Sequence, residues 1–316
     1  VKRLHYSTRS RAVSPALEVY KAQTQSGALY GAELWGNSEC HKLVIAENYF
    51  LKSLLGLPQS TPTIPVLWNL NFRSIGMQVI LRPLLYWIRL WTTPQLNTYR
   101  LCIEECCRLE GSLKIPWLGH IKKWFSMLGL VDFWTDPSSI PKGSAMLVKR
   151  KFWEHYTLKV CGDLKSGPLT IQFLSFKPTP SFESCLDEIE PQLCKSLYFK
   201  LRLGILPLNT MKVKWSNNAP LSPSCEGCTY ESETVDHVLF FCPCYARARN
   251  RWIRPLCLNL GTTHICDARR IILTNTDPHI VFAVSKFLLA FWLCRTKLLK
   301  GNKDDSVAFI QVQQNL

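Results

Sequence analysis

The chain has 316 residues, 47% of them hydrophobic with 11 Trp and 15 Phe, which excludes an intrinsically disordered chain. Its 38 Lys+Arg against 23 Asp+Glu leave a net charge of +15. Charged residues total only 19%, below the roughly 25% of an average globular chain, so the excess reflects few acids rather than many bases. Fourteen cysteines fall short of the ~8% density of secreted disulfide scaffolds, and no N-terminal apolar segment accompanies them. A reduced, intracellular setting is expected.

The opening VKRLHYSTRSRAV is basic and superficially resembles a transit peptide. A start at Val1 rather than Met points instead to an internal segment of a longer protein. Amphipathic stretches separated by Pro and Gly follow, so the fold class expected is mainly α. In 41–56, Leu43, Ile45, Tyr49, Phe50, Leu54 and Leu55 make one apolar helical face, which Gly56 and Pro58 should stop. Pro65 suits a first helical position. A longer helix over 73–92 should kink at Pro83, where one backbone donor is missing. Further helices are predicted at 95–109, 116–128, 144–163 and 182–203. The stretch 164–181 has the weakest helical pattern; Thr170 to Phe176 suits a short strand, and its proline-rich tail marks a soft domain boundary. Residues 280–294 are apolar for 15 positions apart from Lys286, short of the roughly 20 needed to span a bilayer. They predict a buried core helix, and no membrane partner is expected.

One constellation has metal-ligand spacing. Cys225, Cys228, His237 and Cys242 form C-x2-C-x8-H-x4-C. A lone C-x2-C is expected by chance about 0.6 times in so cysteine-rich a chain, but adding the His and third Cys drops that to roughly 0.002. Four soft or borderline donors suit a structural Zn2+ with no open position for water chemistry. Cys244 is a possible substitute for Cys242, whereas Cys106/Cys107 and Cys257/Cys266 read as core or surface cysteines.

The surrounding charge divides. Glu226, Glu231, Glu233 and Asp236 make the knuckle a poor grip for phosphate. Immediately after it, Arg247, Arg251 and Arg254 share one helical face, with Arg249 off it and Tyr245 and Trp252 interleaved. That pattern suits phosphate contact and base stacking; the alternative is a solvated basic face. A second basic helix over 142–165 holds Lys149, Arg150 and Lys151, and its Phe152, Trp153 and Tyr156 read as core. No carboxylate constellation for catalysis stands out: Asp304–Asp305 sits in a polar GNKDDS context. No phosphate-binding loop or nucleophile elbow is present. The other histidines, such as His41, His120 and His155, lack partners at recognisable spacing.

Two blocks carry a resemblance. LYGAELWG (29–36) followed by FLKSLLGLPQSTP (50–62) resembles the segment just downstream of the reverse-transcriptase core in LINE-type non-LTR retrotransposons. KLRLGILPLNT (200–210), leading into the Cys/His cluster and HVLFFCPCY, resembles the zinc-knuckle region of the same elements. The resemblance spans roughly residues 13–256. It implies a helical thumb-like region over 1–165, a linker over 166–181, and a C-terminal helical domain over 182–316 with its knuckle at 225–242. It further implies RNA template or DNA target as partners, together with an upstream catalytic core of the same polyprotein. The nucleic-acid contacts implied are Arg247, Arg251, Arg254, Lys149, Arg150 and Lys151. A nuclear site of action with a cytoplasmic ribonucleoprotein stage follows. The family's catalytic aspartates match nothing here, so polymerase activity of this chain alone is not expected. A different class of reading is a helical protein-interaction module whose zinc site is purely structural.

Overall fold

The computed structural model describes residues 12–36, 40–109, 115–166, 173–215, 222–225, 227–228, 231–259, 261 and 265–299. Among these the architecture is mainly helical; the only strand-like pairing is an isolated antiparallel bridge between Ser224 and Ser232. Two compact units emerge. One comprises Leu17–Leu51 and Phe72–Leu164; the other takes the described residues of Lys2–Ala16, Lys52–Asn71 and Lys165–Leu316.

In the first unit, helix Ile75–Thr92 is the central element, burying Val79, Leu84, Trp87 and Ile88. Two devices satisfy its orphan amino terminus. Ser74 accepts a hydrogen bond from the Gly76 amide, and the buried Glu47 carboxylate accepts from the Ile75 amide at 3.0 Å. Burial pushes the Glu47 carboxyl above its ordinary value, against hydrogen bonds from Ser74, Ile75 and Gln25. The helix continues through Pro83, which leaves the Val79 carbonyl without its intrahelical donor. Gly36 backs onto that carbonyl: a Cβ at this position would stand 2.3 Å from the Val79 oxygen. The block LYGAELWG therefore ends on a glycine that no other residue could replace without displacing backbone. Around this helix, Leu118, Ile121 and Phe125 from Pro116–Met127 and Val148 and Phe152 from Ser144–Ser166 complete the core.

The second unit is built on helix Pro278–Leu299, which packs against Gln192–Arg202, Ala246–Asn259 and Ile265–Thr274. Its Phe287, Leu288 and Phe291 are fully buried. Among the described helices it alone is long and apolar enough to cross a membrane, and it is largely enclosed as a core helix. The segment 52–71 joins this unit through i, i+4 neighbours on Gln192–Arg202. Gln192 donates to the Ser53 and Leu54 carbonyls, and Ser196 donates to the Gly56 carbonyl at 2.8 Å. They add to the Gly56 and Leu57 amides, which close the end of helix His41–Leu54 by donating to the Ser53 and Lys52 carbonyls. A buried triad adds rigidity: Glu183 accepts from Lys177 at 2.7 Å and from Arg202. Burial raises the Glu183 carboxyl, but Arg202 and Lys177 outweigh it and hold it below its ordinary value.

Two expected elements differ. The helix expected over 182–203 is two helices, Cys185–Glu188 and Gln192–Arg202, because Pro191 has no amide to donate across the junction. The strand expected from Thr170 to Phe176 is helical over its described part, 173–176, with the Lys177 amide donating to the Phe173 carbonyl. That part, FLSF, holds no β-branched residue; Thr170 and Ile171, which suggest a strand, lie outside the described residues. So does Asp304–Asp305.

Candidate metal centre

Local backbone geometry explains how the four ligand positions converge. The Ser224–Ser232 bridge folds the knuckle back on itself, and the Cys225 amide donates to the Glu231 carbonyl at 2.8 Å. Gly227 sits in the turn between the first two cysteines. A Cβ there would meet Cys244 Sγ at 2.8 Å and Cys244 Cβ at 2.9 Å, so the turn closes only with glycine. Residues His237–Phe241 then form one π-type turn, which ends at Cys242 ahead of Pro243.

Cys225, Cys228, His237 and Cys242 are all buried, and their donor atoms lie within 4.8 Å of one another. Cys225 Sγ stands 3.7 Å from Cys242 Sγ, and Cys228 Sγ stands 3.4 Å from His237 Nε2. This buried Cys3His group could hold a metal ion. The hydrogen bond from Cys242 favours the Cys225 thiolate and lowers its pKa from the ordinary thiol value. Crowded, buried thiols so placed are prepared for a cation. Cys244, the possible substitute, lies outside the cluster and packs on Gly227 instead.

The acids of the knuckle have internal partners. His237 Nδ1 is 2.6 Å from Glu231 Oε2, which leaves Nε2 turned toward the cluster. A carboxylate behind a ligand histidine fixes its tautomer and orientation. Glu231→Ala should therefore weaken metal binding about 10–100-fold without unfolding the chain. Competition against a chromogenic chelator checks this; unchanged affinity would remove the role. Glu233 is fully buried and receives Arg295 through Nε at 2.6 Å and Nη2 at 2.8 Å. It also accepts from the Asn209 amide at 2.6 Å, while Thr210 donates to its backbone carbonyl. Asp236 pairs with Arg269 at 2.8 Å. Of the acids that the sequence places on the knuckle, Glu233 is buried, Glu231 is paired but solvent-exposed, Asp236 is paired and half-buried, and Glu226 lies outside the described residues. Arg295 lies 62 residues from Glu233, and no local signal marks the pair.

No protein-family model, no curated protein and no solved structure matches this chain.

The helix after the knuckle, Ala246–Asn259, exposes Arg247, Arg251 and Arg254. Arg249, off that face, donates to the Phe240 carbonyl at 2.7 Å and to the Cys242 carbonyl, bracing the helix against the turn that carries the ligands. Arg251 lies 5.1 Å from the Trp252 ring centroid, and Trp252 meets the half-exposed Phe282 edge-on. In the other unit, the three basic residues at 149–151 part ways. Lys149 is exposed, Arg150 faces Glu154 at 3.8 Å, and Lys151 donates to the Leu128 carbonyl at 3.3 Å. Phe152 is core, and Trp153 and Tyr156 are half-buried.

The remaining candidates have ordinary surroundings. His41 is exposed, His120 contacts the Ile80 carbonyl through Nε2, and His155 packs edge-on against Trp124. None of the cysteines whose side chains are described forms a disulfide. Burial pushes Cys185 and Cys194 up to about 11 and Cys294 up to about 12, which keeps these thiols protonated and inert.

Proposed function

We propose that this chain is the nucleic-acid-binding, post-catalytic segment of a LINE-type RNA-directed DNA polymerase, holding template RNA or target DNA. One observation carries the reading: the turn that bears the buried Cys3His group is tied by Arg249 to a helix that presents Arg247, Arg251 and Arg254 to solvent beside Trp252. The metal is zinc in a structural role. Bonds of about 2.3 Å to sulfur and about 2.0–2.1 Å to nitrogen in a tetrahedron separate neighbouring donors by roughly 3.6–3.8 Å. The 3.7 Å sulfur–sulfur separation falls in that range, and the 3.4 Å sulfur–nitrogen separation is slightly shorter. All four positions are protein ligands, so the ion has no place for substrate.

The ion pairs of Glu233 with Arg295 and of Asp236 with Arg269 also support the reading, because they lower the repulsion that an acidic knuckle would exert on phosphate. Replacing Arg247, Arg251 and Arg254 together by Ala is expected to weaken single-stranded RNA binding. It should also reduce the slope of log affinity against log salt by about 2, at ~0.7 for each phosphate no longer neutralised. Filter binding over a salt series measures both. Unchanged affinity and slope in a folded triple variant, with a protein partner recovered instead, would favour the interaction-module reading.

A further inference from the structure

The first unit contains a cavity of about 490 Å³ on the surface of helix Ile75–Thr92, within the size range of small-molecule sites, roughly 300–1,000 Å³. Its charge is one-sided. Arg73, Arg82, Arg89 and Lys149 line it against a single acid, Glu33. Glu33 is committed to Arg82, which it meets at 3.0 Å, and Arg82 also donates to the Leu29 carbonyl. Among the described residues, no carboxylate pairs with Arg73, Arg89 or Lys149. Three cations thus converge on one concavity whose single acid is already paired with Arg82. Gathering like charges around a concave wall costs stability and focuses a positive potential inward.

The walls add a second feature. The Arg73 guanidinium lies 4.6 Å from the Trp153 ring centroid, so its plane is pre-positioned by stacking while its donors remain available. Tyr86 lines the same cavity, and Leu81 and Leu85 supply an apolar floor. Fixed guanidinium groups with an aromatic and apolar floor match a phosphate ester attached to a planar ring. We propose that this cavity is a phosphate-ester site sized for one nucleotide. The ligand is either a free nucleotide or one unit of a single strand; only the second source rests on the function proposed above.

The test is direct titration of the full chain with two probes, adenosine triphosphate and a short single-stranded oligoribonucleotide. Arg89→Glu and Lys149→Glu, both on exposed side chains, should each weaken binding of the cognate probe by at least about tenfold. Lys159→Glu, an equal charge change elsewhere on helix Ser144–Ser166 and outside the cavity, should leave it unchanged. Triphosphate binding with this pattern assigns a free nucleotide; binding of the oligonucleotide alone assigns a strand. If neither probe responds to Arg89→Glu and Lys149→Glu more than to Lys159→Glu, the site does not exist. The triple arginine variant on Ala246–Asn259 separates the two readings, since it lies on the other unit and should not change triphosphate binding.

Discussion

Stripping the metal from the purified chain is expected to unfold the knuckle and loosen the second unit, leaving the first unit helical. Four buried groups of metal-ligating type place their donor atoms within 4.8 Å of one another. Structural zinc contributes about 10–16 kcal/mol of apparent binding free energy in comparable small sites, and that energy is folding energy. The loss should spread beyond the ligands. Val238 and Leu239 between them are buried, and Tyr245 packs edge-on to Phe291 at 4.8 Å on the apolar helix Pro278–Leu299. Chelation followed by limited proteolysis and far-ultraviolet circular dichroism should report cleavage near 222–245 first. Metal analysis should return about one zinc per chain, with affinity falling as pH falls because protons compete for the thiolates and imidazole. Cys228→Ser should reproduce the effect, and Cys244→Ser should be much milder because Cys244 is outside the cluster. A metal-free chain with unchanged circular dichroism and proteolysis would refute the site.

Replacing Arg295 by Met should be the most damaging single change away from the ligands. Arg295 and Glu233 are almost wholly buried, and Arg295 reaches both carboxylate oxygens as well as Asn209 Oδ1. Met keeps much of the side-chain volume but leaves the Glu233 carboxylate without a countercharge in the core. Breaking a buried pair from one side typically costs about 3–5 kcal/mol. Glu233 also holds the Asn209 amide, so the deficit should be felt by helix Asn209–Trp215 as well as by the knuckle. Urea unfolding of the zinc-loaded chain measures the loss. Adding Glu233→Gln to Arg295→Met should recover part of it, because the uncompensated charge disappears while an acceptor for Asn209 remains. A loss below about 1 kcal/mol, the level of an exposed pair, would show that the network carries no stability.

Much of the fold is written in local pattern. Apolar spacing at 41–56 and the proline at 116 place helices His41–Leu54 and Pro116–Met127 to within a residue or two of their ends. The apolar run at 280–294 is the core of Pro278–Leu299, extended at both ends by residues that the apolar run alone does not include. Local pattern fails where one residue overrides its neighbours: Pro191 cuts a helix that periodicity carries through, and 173–176 turns helical once Thr170 and Ile171 are set aside. The Cys3His group is legible because residues that could hold a metal ion recur at short, recognisable spacings. Glu231 is not, since its part depends on which nitrogen of His237 faces the cluster.

By itself the sequence determined the mainly helical class, the Cys3His group that could hold a metal ion and the arginine face after it, because each follows from short residue spacings. Tertiary structure alone decided that Arg295 holds Glu233 across 62 residues, that Arg269 pairs with Asp236, and that segment 52–71 belongs with the described residues after Leu164. It also decided which basic residues remain uncompensated around the cavity on Ile75–Thr92. Net charge is a sum over the chain, whereas a site depends on which charges meet. Pairing brings together groups far apart in sequence, and no local periodicity encodes it.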